Sequence, residues 1–197
     1  MTRIRAFALI VAVIGSLLYL KTDFLPTQNW EHHYDSGWTA FGEKNYAEAE
    51  KQFRDTLKLA EKFPQDDPRL RLTLNSLAET YRSQAKYREA EPFYKRILAM
   101  DEKALGPEDP SVAASLNNLA NNYRVLGKYA EAEPLYKRAL KIWVKILGPE
   151  HPLVAHIQES YADLLRKTGR VAEAEKLETH AKLIQSEGLP GMTPQKK

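Results

Sequence analysis

Two sets of residues in this chain have types and spacing that could do chemistry. The first is a series of paired glutamates. Glu48 and Glu50, Glu89 and Glu91, and Glu131 and Glu133 each frame a single alanine. Paired carboxylates can divide acid and base duties in hydrolysis. Each pair here stands in the first turn of an amphipathic segment, where negative charge complements the helix dipole, and that is the role we expect of it. The second set is Asn117, Asn118, Asn121 and Asn122, crowded into one helical stretch. Asparagine is a poor helix former, so the cluster costs stability. Its amide both donates and accepts, which suits the backbone of an extended peptide. The alternative is a polar, solvated helix face.

Other reactive chemistry is missing. His32 and His33 are neighbours and point to different helix faces, while His151 and His156 lie five apart with His151 in a loop, so no metal site is expected. The chain has no cysteine, which excludes disulfides, zinc thiolates and cysteine nucleophiles. There is no G-x-S-x-G, no H-E-x-x-H and no glycine-rich phosphate loop. We expect no enzyme, no cofactor and no small-molecule substrate. The net charge of +3 is too small to argue for nucleic acid, and Lys and Arg are interleaved with Asp and Glu as on solvated helix faces.

The elements that carry these residues repeat. Tyr87 opens YREAEPFYKRIL and Tyr129 opens YAEAEPLYKRAL, 42 residues later. Tyr46 opens YAEAEKQF 41 residues before Tyr87, and Val171 opens VAEAEKLE 42 residues after Tyr129. A fixed period in this range reads as stacked repeats. Pro68, Pro110 and Pro152 keep the same register. Proline suits the first helical position, where its missing N–H is harmless. Asp67 and Asp109 precede it as N-caps, and His151 is the weaker cap of the third copy. Gly106 and Gly148 stand where a helix end needs positive φ. Each unit therefore reads helix, tight turn, helix, Gly-Pro loop.

Taken in order, Ala6 to Leu20 form an uncharged run after Arg3 and Arg5, within an expected membrane span over residues 4–20. As a helix residues 4–20 span about 25 Å, short of a ~30 Å hydrocarbon core, with Lys21 able to snorkel and Phe24 and Leu25 to extend the span. A cleaved signal peptide has a similar start, but Leu20-Lys21-Thr22-Asp23 offers no small-residue cleavage pattern. We read residues 1–20 as a transmembrane signal anchor. The two arginines keep the amino terminus in the cytoplasm. In a bacterium the repeats then face the periplasm from the inner membrane, whereas a eukaryotic organelle anchor would face them to the cytosol. Residues 21–30 read as a linker, since Pro26 bars a continuous helix. Helices are expected over 31–42 and 46–63, 69–84 and 87–105, 111–126 and 129–147, and 153–168 and 171–184. The tail, residues 185–197, lacks apolar periodicity and is expected to be disordered.

Within the units, Leu74, Leu77, Ala78 and Tyr81 form one apolar stripe. Ala90 and Ala132 permit close helix approach, with Tyr94 and Tyr136 filling the space beside them. These residues resemble the tetratricopeptide repeat. The long period, LNNLANNY (Leu116–Tyr123) and the LGPEDP and LGPEHP loops are similar to its kinesin-light-chain subtype. The resemblance covers residues 31–184. It is weakest at the ends, with Ala40 and Leu165 where Tyr81 and Tyr123 stand, and Glu178 in the place of Tyr94 and Tyr136. It implies an all-α, right-handed solenoid of about four helical hairpins behind the N-terminal transmembrane helix. It also implies a concave groove lined by the first helix of each hairpin, where asparagines hold peptide backbone. Asn75, Glu79 and Arg82 face that groove from the second unit; Asn117, Asn118, Asn121 and Arg124 from the third; and Glu159, Asp163 and Arg166 from the fourth. Tyr34, Trp38 and Phe41 are their counterparts in the first. The family's carboxylate clamp is not implied, because Asn75, Glu79, Asn118, His156 and Ser160 lack most of its bases. The expected function is a membrane-tethered scaffold that takes a partner protein or peptide in the groove. The alternative is a structural or assembly subunit of a membrane complex, held through both anchor and repeats.

Overall fold

A computed structural model describes residues 25–187. The expected anchor, residues 21–24 of the expected linker and residues 188–197 lie outside these, while residues 25–30 of that linker are helical. The described residues form eight helices and no strand. They are α1 (Leu25–Gly42), α2 (Tyr46–Ala60), α3 (Pro68–Ser83), α4 (Tyr87–Leu105), α5 (Pro110–Val125), α6 (Tyr129–Leu147), α7 (Pro152–Lys167) and α8 (Val171–Glu187). The chain divides into two compact units, one ending at Gln84 and one beginning at Ala85.

In the first unit α1 and α2 form a hairpin, and α3 packs on α2. Helix α1 begins at Leu25, six residues before the expected start. Pro26 is no barrier there, because a proline in the first turn gives up an N–H that has no helical acceptor. Two side chains tie this first part of the helix to α3. Trp30 is buried, and its indole Nε1 donates to Thr73 Oγ1 at 3.0 Å. The Arg69 guanidinium donates to Thr27 Oγ1 at 2.9 Å. Helix α2 stops at Ala60 rather than Phe63, since Pro64 disfavours helical geometry in the residue before it. The Phe63 ring instead lies under the Arg69 guanidinium, 3.5 Å away. The core of this unit is Ala49, Phe53, Leu74, Leu77 and Ala78, all without solvent contact.

In the second unit α5 and α6 form one hairpin and α7 and α8 another; α4 packs on α5, and α6 on α7. Val112, Ala113, Leu116, Ala139 and Ile142 make its central cluster, with Leu98, Leu135 and Trp143 packed against it. Ala90, Ala132 and Tyr136 are fully buried, and Tyr94 nearly so, as their spacing predicts. Helix α8 continues to Glu187, so residues 185–187 are helical where a disordered tail is expected.

The caps behave as their chemistry dictates. Asp67 accepts from Arg69 N at 2.9 Å and Asp109 from Ser111 N at 2.7 Å. His151 fills the same place through Nδ1 at a longer 3.2 Å. Gly106 and Gly148 close α4 and α6 at φ 84° and 85° with ψ near 160°, a region that only glycine visits freely.

Candidate functional site

The expected groove residues of the third and fourth repeats sit on α5 and α7, two helices of the compact unit beginning at Ala85 that touch each other directly. Arg124 spans them, pairing with Asp163 of α7. Its Nε also donates to the Tyr136 hydroxyl at 3.3 Å, and that hydroxyl donates to Asn121 Oδ1 at 2.7 Å. Burial pushes the Tyr136 phenol up to about 12, so it stays an O–H donor at any ordinary pH. Asn121 and Arg124 are therefore already held by their own hairpins. Arg166 is also held: its Nε and Nη2 grip the Glu178 carboxylate at 2.7 and 2.8 Å. Glu178 occupies the slot of Tyr136 one repeat on, so the arginine keeps its partner position while the partner changes from phenol to carboxylate. Glu159 accepts from Gln185 Nε2 at 2.8 Å.

Asn117 and Asn118 differ from these. Asn118 is exposed. Asn117 is half-buried, and its Oδ1 is shielded from solvent with no hydrogen-bond donor. A buried acceptor left unmade costs about 1–3 kcal/mol. Asn122, on the inner side of the same helix, donates through Nδ2 to Tyr87 O at 3.0 Å but leaves its own Oδ1 unpaired. Two of the four clustered asparagines thus carry an unsatisfied oxygen, while Asn121 serves the tyrosine.

In the first unit Asn75 is half-buried, and Glu79 pairs with Arg82 along α3. Tyr34, Trp38 and Phe41 belong to an aromatic row on α1. Tyr34 stacks on Trp30 with ring centres 4.6 Å apart. Trp38 meets Phe41 edge-on at 5.1 Å and Phe53 at 5.5 Å. Trp38 remains 38% exposed, so this row joins the core of the hairpin on one side and meets solvent on the other.

The paired glutamates do more than complement a helix dipole. The second of each pair reaches the next helix or turn. Glu50 accepts from the Tyr81 hydroxyl at 2.9 Å. Glu91 holds Lys128 at 2.7 Å as well as Lys95 at 2.6 Å. Glu133 accepts from the Tyr161 hydroxyl at 3.0 Å and pairs with Lys137 at 2.6 Å and Arg170 at 2.8 Å. The signal was present in the sequence: Glu91 and Lys128, like Glu133 and Arg170, lie 37 residues apart. Lys137 and Arg170 together hold the Glu133 carboxyl down at about 2, and Glu91 is lowered by Lys128 and Lys95. Because these folded values lie below the unfolded one, their stabilisation is complete above about pH 4.5 and is lost as pH falls toward 2. Melting temperature should therefore fall across that window. The fall should be shallower in Glu133→Gln, which has no carboxylate to protonate. An equally steep acid fall in the variant would remove Glu133 from the account.

Among the described residues no group of three histidines, cysteines or carboxylates is placed to hold a metal ion. None of the described helices is long and apolar enough to cross a membrane. The expected anchor falls outside them.

The fold and this polar helix face define a class of protein. A tetratricopeptide repeat model matches residues 35–103 and 105–182, and the chain belongs to the tetratricopeptide repeat family. Domains of this class are protein–protein interaction scaffolds. No curated protein matches the chain significantly. Among solved structures it is similar to a Podosopora anserina kinesin light chain with nearly identical TPR-like repeats. The identity is 25% over 86% of this chain and 80% of that one, with a TM-score of 0.70. BtubC (BKLC) from P. vanneervenii matches at 20% identity over 87% and 68% of the two chains, with a TM-score of 0.75. The apo form of RapI matches at 15% identity over 94% and 50%, with a TM-score of 0.72. These likenesses agree on an all-helical tetratricopeptide-type fold.

Proposed function

We propose that the chain is a membrane-tethered scaffold whose α5–α7 face holds an extended segment of a partner protein. The observation that carries this reading is Asn117 Oδ1, a shielded acceptor with no donor, beside the exposed amide of Asn118. With the Asn117 amide turned out of its shielded position, a peptide N–H laid along α5 would supply the missing bond. Arg124, Asn121 and Arg166 frame the face from fixed positions, so the surface is already organised for binding. Little side-chain freedom is then lost on binding, which favours affinity. Asn75, Glu79 and Arg82 are the corresponding candidates on α3 of the first unit. Residues 4–20 are the membrane tether, and Arg3 and Arg5 orient it with the repeats on the periplasmic side of a bacterial inner membrane. A reporter fused after residue 197, active only in the periplasm, tests that orientation; a fusion that is produced but inactive refutes it.

The face is tested with Asn117→Ala. Alanine is the better helix former and removes an unsatisfied oxygen, so the melting temperature should stay level or rise. A partner first identified by crosslinking from native membranes should bind the variant about ten-fold or more weakly, the equivalent of roughly 1.4 kcal/mol. Unchanged affinity would move the binding site off α5. Asn121→Ala is not equivalent, because it takes the acceptor from the buried Tyr136 hydroxyl and should cost stability as well as binding.

A further inference from the structure

The clasp glutamates have a fourth member. Glu50, Glu91 and Glu133 are followed, at the same register, by Glu175 in α8. The first three are each taken by the helix or turn that comes next in the chain: Glu50 by Tyr81, Glu91 by Lys128, Glu133 by Tyr161 and Arg170. Glu175 is exposed, and among the described residues no hydrogen bond or ion pair reaches its carboxylate. Of the cations nearby, Arg166 is already committed to Glu178, and Lys176 makes no ion pair with Glu175. Around Glu175 lies an open depression lined by Ala172, Lys176, Thr179, His180 and Leu183, and Leu183 is 51% exposed. This face continues the series of helix-on-helix contacts made by α4 with α5 and by α6 with α7.

We infer that the outer face of α8 is a docking surface for a helix of a partner protein that presents a tyrosine hydroxyl or a lysine or arginine to Glu175. The three filled clasps specify that chemistry: in each, the carboxylate is met by a phenol O–H, a base or both. A second copy of this chain fits poorly. Its own first hairpin has Ala40 where Tyr81 and Tyr123 stand, and Asn45 where Lys128 and Arg170 stand. The depression on that hairpin is also lined by Asp35, Glu43 and Glu48, which would repel Glu175. Residues 188–197 carry Lys196 and Lys197 but no tyrosine, and two glycines and two prolines make them poor material for a helix. The α8 face is separate from the α5–α7 face, so the two readings stand or fall independently.

The test duplicates residues 148–187 within the full chain, inserted between Glu187 and Gly188, so that a copy of Tyr161 and Arg170 follows α8. The longer chain should melt higher. In it, Glu175→Gln should lower the melting temperature by about 2–4 °C, as expected for one lost clasp in a chain of this size. In the natural chain the same substitution should change it by less than about 1 °C. Three results would overturn the inference. If the inserted hairpin neither raises the melting temperature nor couples to Glu175, the face does not accept a helix. If Glu175→Gln and deletion of residues 188–197 each destabilise the natural chain equally, the tail already fills the site. If the natural chain associates with concentration in sedimentation and Glu175→Gln abolishes this, the occupant is a second copy.

Discussion

Tyr136→Ala lowers the stability of the second unit by about 3–5 kcal/mol, the usual range for truncating a large buried aromatic. Tyr136 has no solvent contact, and its ring stacks on Tyr161 with centres 5.7 Å apart. The substitution opens a cavity between α5, α6 and α7 and strands two partners, Asn121 Oδ1 and Arg124 Nε. Tyr136→Phe separates the two effects. It keeps the ring and removes only the hydroxyl, so it should cost about 1–3 kcal/mol, the penalty for leaving buried partners unmade. Hydrogen exchange of amides in α5–α7 is the suitable readout, since a repeat protein need not unfold in one step. Equal losses in the two variants would mean that the hydroxyl network, not packing, holds these helices together.

Gly37→Ala is the second large effect, and its sign depends on a competition. Within a helix, alanine is favoured over glycine by about 1 kcal/mol. A Cβ at Gly37, however, would lie 2.5, 2.7 and 2.9 Å from three ring atoms of Phe53. That ring has no solvent contact and is enclosed by Tyr34 and Trp38, so it has little room to turn away. Overpacking of this kind costs about 1–3 kcal/mol and should win here, because three contacts are violated at once. We expect a lower melting temperature for Gly37→Ala and a partial recovery when Phe53→Leu is added to make space. A variant more stable than the parent would show that α1 and α2 separate more readily than their packing suggests.

The difference between the two clusters of candidate residues explains how much the sequence could reveal. The expected bounds of α4 and α6 agree with the structure to the residue, and those of α3, α5 and α7 to within one. Capping residues, prolines and the apolar stripe act within a turn or two, and the same pattern recurs along the chain, so each repeat checks the others. Ala90, Ala132 and Tyr136 were legible as core for the same reason. The start of α1 was not, because it depends on Trp30 and Thr27 meeting Thr73 and Arg69 more than forty residues away.

The polar face shows the same division. The asparagine cluster marked α5 as costly and therefore worth explaining, and that followed from composition and helix propensity alone. Which of those amides is open and which is occupied was decided by tertiary contacts. Asn121 is taken by a hydroxyl from α6, whereas Asn117 Oδ1 has no donor. Arg124 and Arg166 have long side chains with several rotamers of similar energy, and each settles on whatever acceptor a neighbouring helix offers, Asp163 in one case and Glu178 in the other. The paired glutamates follow the same rule. Their place in the first helical turn was fixed by local spacing, and their use as clasps by the helix that packs next. Short-range sterics and periodicity thus determined where the helices lie and which faces they bury, while the partners of long polar side chains were settled only by the distances between packed helices.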